Sequence, residues 1–156
     1  DHKAHYETIT VGGFPCLIVR ENEKPSERAI LYFFGGGMVI GPDKGDLPVM
    51  RKLCRETGCD VWFPFYPLCM EHCITETYAM VYECYRKMIA LYGGGNVSTC
   101  GFSSGGALPD FEAACKRANV PYTAFARPKM VHCYCMLPVF REAKEDFAKI
   151  AEILKQ

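Results

Sequence analysis

A chain of 156 residues is the size of one domain and can bury about two-thirds of its unfolded surface. Its 18 Lys and Arg are matched by 18 Asp and Glu, so the formal charge is zero, with no basic field for nucleic acid and no polybasic run for a membrane surface. No apolar run approaches the roughly 18 residues that span a bilayer, "DHKAHYET" at the amino terminus carries no apolar signal segment, and most of the ten Cys sit inside apolar runs, so the composition reads as a soluble, reduced, cytoplasmic protein.

Residues 6–11 and 14–20 flank Gly12 and Gly13 and predict a β-hairpin. After the turn-like "ENEKPSE", residues 29–34 ("AILYFF") form a continuous apolar run, the mark of a strand buried in a parallel sheet. Residues 46–57 predict a helix with Leu47, Met50, Leu53 and Cys54 on its inner face and Gly58 at its end. Residues 60–65 ("DVWFPF") are the next buried strand. The clearest helix is 75–92, where Tyr78, Val81, Tyr82, Tyr85, Met88, Ile89 and Tyr92 recur at helical spacing as an expected core stripe before "GGG" stops it. Residues 96–101 form a short strand. A helix over 109–118 with Phe111, Ala114, Cys115 and Ala118 on one face, a strand over 122–126, and a helix over 141–154 with Phe147, Ile150, Ala151 and Leu154 inward complete the pattern. Alternating strands and helices predict a single α/β domain over residues 1–156, a mainly parallel sheet flanked by helices.

Active sites of such sheets lie off the carboxyl ends of the strands. Three pieces of sequence fall there: "FGGG" after the third strand, "GFSSGG" after the fifth, and "KMVHCY" after the last. In the second, Ser103 is centred in G-x-S-x-G. A tight strand–serine–helix turn needs small flanking residues, which Gly101 and Gly105 supply, while Gly106 lets the helix pack closely. A serine hydroxyl also needs a base and a set of oxyanion donors. His132, in the loop beyond the last strand, is the candidate base. The amide of Ser104 and those of Gly35 and Gly36 in the glycine cluster 35–37 are the candidate oxyanion donors, since glycine brings bare N–H groups close to a carbonyl.

Two clusters have metal-ligating residue types, Cys69, His72 and Cys73 in "CMEHC" and His132, Cys133 and Cys135 in "HCYC". Neither has the paired spacing of a structural zinc site, so no metal and no cofactor is expected. Cys100 precedes the serine turn and is expected to point into the sheet, away from any nucleophilic role.

Together these stretches resemble the hormone-sensitive-lipase-like esterases, a branch of the α/β-hydrolase superfamily. Its "HGGG", "YRLAPEHPFP", "GDSAGG" and late histidine are matched by "FGGG" at 34–37, "YPLCMEHCIT" at 66–75, "GFSSGG" at 101–106 and "MVHCYCMLP" at 130–138. "FEAACKRANVPY" at 111–122 is similar to the branch's "YAERLKAAGVPV". The resemblance implies a Ser103 nucleophile, a His132 base, an oxyanion hole of Gly35, Gly36 and Ser104 amides, and carboxylesterase chemistry on small acyl esters.

Three departures bear on that expectation. Phe34 stands where the branch has the histidine of "HGGG", which removes a polar support from the loop. Pro67 stands for the arginine of "YRLAPE", and Cys69 and Met70 for its "AP". Between the serine helix and the "YAERL"-like helix, about 80–100 residues are absent against the usual length of a single-domain hydrolase. That stretch carries the branch's catalytic acid. Asp110 is nearest in sequence but starts a helix, where a carboxylate faces the dipole. The expectation is therefore a truncated α/β-hydrolase acting as a serine carboxylesterase on a small-molecule ester. The alternative is a binding module of the same fold that has lost the acid. Two explanations stand for the missing stretch: the chain is truly this short, or the whole molecule has a segment that these 156 residues omit. In the first case the broken sheet leaves an edge open to self-association.

Overall fold

The computed structural model describes residues 4–105, Cys135 and residues 139–155. Among the described residues five strands form one sheet: β1 (His5–Val11), β2 (Phe14–Arg20), β3 (Ala29–Phe33), β4 (Asp60–Pro64) and β5 (Val97–Gly101). Their spatial order is β1-β2-β4-β3-β5. β3 runs parallel to both β4 and β5, while the β1–β2 hairpin joins the sheet antiparallel to β4. Among the described residues three α-helices accompany the sheet: α1 (Asp46–Thr57), α2 (Ile74–Tyr92) and α3 (Arg141–Leu154). The expected helix at 109–118, the strand at 122–126 and His132 lie outside the described residues.

The hairpin turns on Gly12 and Gly13, whose φ angles of 58° and 88° suit a two-residue turn that needs positive φ at both positions. β4 is buried at every position and β3 at all but its last, as their unbroken apolar sequences require. The pleat sends neighbouring side chains to opposite faces. Trp62 donates from Nε1 to the Tyr92 hydroxyl of α2 at 3.1 Å. Phe63 packs the other way, its ring 5.4 Å from that of Tyr32, whose hydroxyl reaches Asp46 of α1. Helices therefore cover both faces. α3 backs α1, with Lys52 Nζ 3.8 Å above the Phe147 ring and Phe147, Ala151 and Leu154 buried.

Two expected inward faces are corrected. Leu47 is 37% exposed, and Val49 joins Met50, Leu53 and Cys54 beneath α1. In α2 the expected stripe holds at Met88 and Tyr92, which are buried, and at Val81 and Tyr85, which pack against the core, but Tyr78 and Tyr82 are turned outward, 47% and 64% exposed, and Thr77, Met80 and Cys84 complete the buried line. Both sides of α2 carry apolar residues at helical spacing, so periodicity could not choose between them. Close approach to the sheet could. A Cβ on Gly12 would sit 3.7 Å from Met80 Cα, and Cys84 lies against the equally buried Cys16 of β2, its thiol within hydrogen-bonding reach. Tyrosine rings would hold the helix farther off.

Candidate functional site

The carboxyl ends of β3 and β5 lie side by side, Phe33 opposite Gly101. The chain leaves β5 through Phe102, which is buried and donates its N–H to the Phe33 carbonyl at 3.3 Å. At Ser103 the backbone takes a φ of 55° and enters a single 3₁₀ turn, Ser103–Gly105, closed by Gly105 N–H on the Phe102 carbonyl at 3.0 Å. A left-handed φ on a residue with a Cβ costs about 1–3 kcal/mol and persists only where its surroundings impose it. Here they do. A Cβ on Gly105 would stand 2.6 Å from the Phe34 carbonyl oxygen and 2.7 Å from that of Phe33. Only glycine lets the turn press this tightly on the end of β3.

The other wall is the glycine loop. A Cβ on Gly35 would meet Ser103 Cβ at 3.0 Å and its Oγ at 3.6 Å, so the Gly35 backbone lies directly against the serine. Gly36, Gly37 and Met38 follow at φ 114°, 65° and 60°. Gly36 cannot be any other residue, because a Cβ there would lie 2.2 Å from the Ile40 carbonyl oxygen. Its own carbonyl accepts from Val39 N–H at 3.1 Å and Ile40 N–H at 2.9 Å, while Gly37 N–H donates to Ser104 Oγ at 2.9 Å.

Phe34 holds the base of this loop in a way its sequence does not announce. The ring is fully buried and stacks on Tyr66 with centroids 4.1 Å apart and planes at 5°. The Tyr66 hydroxyl donates to the Phe34 carbonyl at 2.6 Å. Burial pushes the Tyr66 phenol well above its ordinary range, which keeps it protonated as a donor. The polar support expected to vanish with the histidine is therefore present, supplied from the 66–75 stretch to the backbone. The same stretch is anchored by Thr77, whose hydroxyl donates to the Pro67 carbonyl at 2.6 Å, and by Cys69 N–H on the Met38 carbonyl at 2.8 Å. Beside the loop opens a cavity of about 410 Å³, walled by Val39, Pro42, Phe65, Leu68, Met70 and their neighbours.

Of the expected site residues, Gly35, Gly36, Ser103 and Ser104 come together, and His132 lies outside the described residues. Among the described residues no three His, Cys, Asp or Glu side chains gather as a metal ion would need. His72 packs edge-on against Phe14 with its Nδ1 3.5 Å from Glu76, and Cys69 and Cys73 are exposed. Burial, then the nearby Cys135 thiol, pushes the Cys100 thiol up to about 12, so it carries no thiolate at neutral pH. Sequence reasoning did not find Tyr66 as the loop's support or the Ser104 side chain as its bond to the serine turn. The second had a signal in "GFSSGG", where the resembling motif reads "GDSAGG".

A strained serine at the end of a parallel strand, set against a glycine loop from the neighbouring strand, is the arrangement of an α/β-hydrolase. A family profile described as the alpha/beta hydrolase fold matches residues 30–119, more than half of the chain, and the chain belongs to that family. It is similar to a candidate esterase from Staphylococcus aureus at 24% identity and TM-score 0.68, covering 78% of this chain and 41% of that one. EstE5 soaked with p-nitrophenyl butyrate matches at 16% identity and TM-score 0.80, over 97% of this chain and 84% of that one. A hormone-sensitive lipase from a metagenome library matches at 23% identity and TM-score 0.62, over 76% and 40%. The chain thus spans about two-fifths of the length of the first and third of these proteins. At these identities the likeness is one of fold. No curated protein matches the chain. Among the described residues no helix is long and apolar enough to cross a membrane.

Proposed function

We propose that the chain is a serine hydrolase, a carboxylesterase acting on small acyl esters. The observation that carries this reading is Ser103, held at φ 55° where β5 ends and pressed against the Gly35 backbone. Strain of this kind at a strand end exposes a hydroxyl for attack. The named neighbours, an esterase soaked with an ester and a hormone-sensitive lipase, support the substrate class.

In this reading Ser103 Oγ attacks the ester carbonyl carbon and its proton passes to His132. The carbonyl oxygen takes up the displaced electron pair and is held by the amides of Gly35, Gly36 and Ser104. Collapse expels the alcohol, which takes the proton from His132. Water, deprotonated by the same imidazole, then cleaves the acyl–Ser103 bond and regenerates the hydroxyl.

The test is intact mass after a fluorophosphonate probe, with turnover of a p-nitrophenyl ester measured alongside. We expect one adduct, absent in Ser103→Ala, and a fall in turnover of about 10³-fold or more in that variant. A wild-type chain that takes no adduct, or a variant that turns over normally, sinks the assignment and favours the binding module.

A further inference from the structure

We propose that the Ser104 hydroxyl is a positioning group that latches the glycine loop to the serine turn and decides which of the loop's amides are left for the oxyanion. This rests on the serine-hydrolase reading. The peptide joining Gly36 and Gly37 is held at both ends. Its carbonyl accepts from Val39 and Ile40 N–H, and its N–H is taken by Ser104 Oγ at 2.9 Å. Gly37 N–H is therefore occupied within the protein, which leaves the amides of Gly35 and Gly36 as the loop's proposed oxyanion donors.

The latch acts on the most pliable part of the loop. Three consecutive residues sit at positive φ, two of them glycines, which rotate with almost no steric resistance. Phe34 and Met38 are anchored through their carbonyls by Tyr66 and Cys69. Between those anchors, Ser104 Oγ supplies the bond from the loop to the residue whose own amide serves as an oxyanion donor. Loop and turn donors are thereby kept in register before substrate arrives. Donors that need no reorganisation are worth far more to a developing oxyanion than donors that must be oriented during the reaction.

The experiment compares wild type, Ser104→Ala and Ser104→Thr in kcat and KM on p-nitrophenyl acetate and in amide hydrogen exchange across residues 34–41, with Ser103→Ala as the blank. We expect Ser104→Ala to lose about tenfold or more in kcat while KM changes by less than about threefold. Exchange of the loop should accelerate by a similar factor. Ser104→Thr, which keeps the hydroxyl, should restore most of both. Wild-type kcat and unchanged loop exchange in Ser104→Ala would overturn the latch and leave the hydrolase reading standing. Absence of both turnover and a Ser103 adduct in the wild type would overturn the hydrolase reading, and the catalytic role of the latch with it.

Discussion

The two ends of the parallel strands are built on opposite principles. At the amino end, Asp60 is 2% exposed and surrounded by donors: Arg20 Nε at 3.1 Å, the Tyr92 hydroxyl at 2.8 Å and Ser26 N–H at 3.2 Å. Trp62 donates to Tyr92, and Arg20 reaches out to Glu7 as well. Burial disfavours the Arg20 charge, but its bonds to Glu7 and Asp60 outweigh that and hold it above its ordinary range. No residue in this network has a left-handed backbone. At the carboxyl end, Ser103 and Met38 both have positive φ, and glycines are pressed against carbonyl oxygens. One end satisfies every group it buries, and the other holds its backbone in conformations that side chains resist. The strained backbone sits on a sheet whose far end is tied by that network and whose middle is apolar core.

The contrast breaks most sharply at Asp60. Asp60→Ala leaves the buried guanidinium of Arg20 short of its partner and should cost about 3–5 kcal/mol in urea unfolding, while ester turnover per folded molecule stays the same. Loss of turnover without loss of stability would mean that the two ends are not separable. Gly105→Ala is the reverse case at the site. Its methyl must push Phe33 and Phe34 carbonyls aside, and we expect a loss of about 1–3 kcal/mol together with most of the Ser103 labelling.

Ser103→Gly sharpens the strain argument directly. Glycine adopts φ 55° without penalty, so the melting curve should shift upward by about 0.5–1 kcal/mol as activity vanishes. A destabilised variant would show that Ser103 contributes more through its side-chain contacts than it costs in backbone strain. The smallest effect belongs to Glu76, exposed in the first turn of α2. Its carboxylate accepts Cys73 N–H at 2.9 Å, which holds it below the ordinary 4.5, with a lesser push from His72. A depressed carboxylate stabilises the fold above its unfolded value and loses that contribution as pH falls through the folded one. Glu76→Gln should therefore melt slightly below wild type at pH 7 and together with it at pH 3. An offset that persists at pH 3 would assign the effect to something other than the charge.

Much of this was legible along the chain. Apolar runs and glycine or proline punctuation placed the described strands and helices to within a residue of their ends, because local propensity and tertiary burial agree there. G-x-S-x-G and the glycine cluster marked both walls of the site, since the backbone geometry they require excludes other residues. The inward face of α2 was legible at Met88 and Tyr92 but not in its first half, where both sides of the helix are apolar and the choice of Thr77, Met80 and Cys84 over Tyr78 and Tyr82 rested on which could approach β2 and the hairpin turn. Nor was the role of Phe34. Its substitution for a histidine reads as a lost contact, but its ring fills the core under Tyr66 and its carbonyl accepts a hydrogen bond from the Tyr66 hydroxyl.

By itself, then, the sequence determined the order and kind of the elements and the residues that could only be glycine, because both depend on local sterics and on the periodicity of burial. Tertiary structure alone decided that Gly35 lies against Ser103 and that Ser104 bonds Gly37. Those contacts join segments nearly seventy residues apart, and only the parallel pairing of β3 with β5 brings their ends to one place.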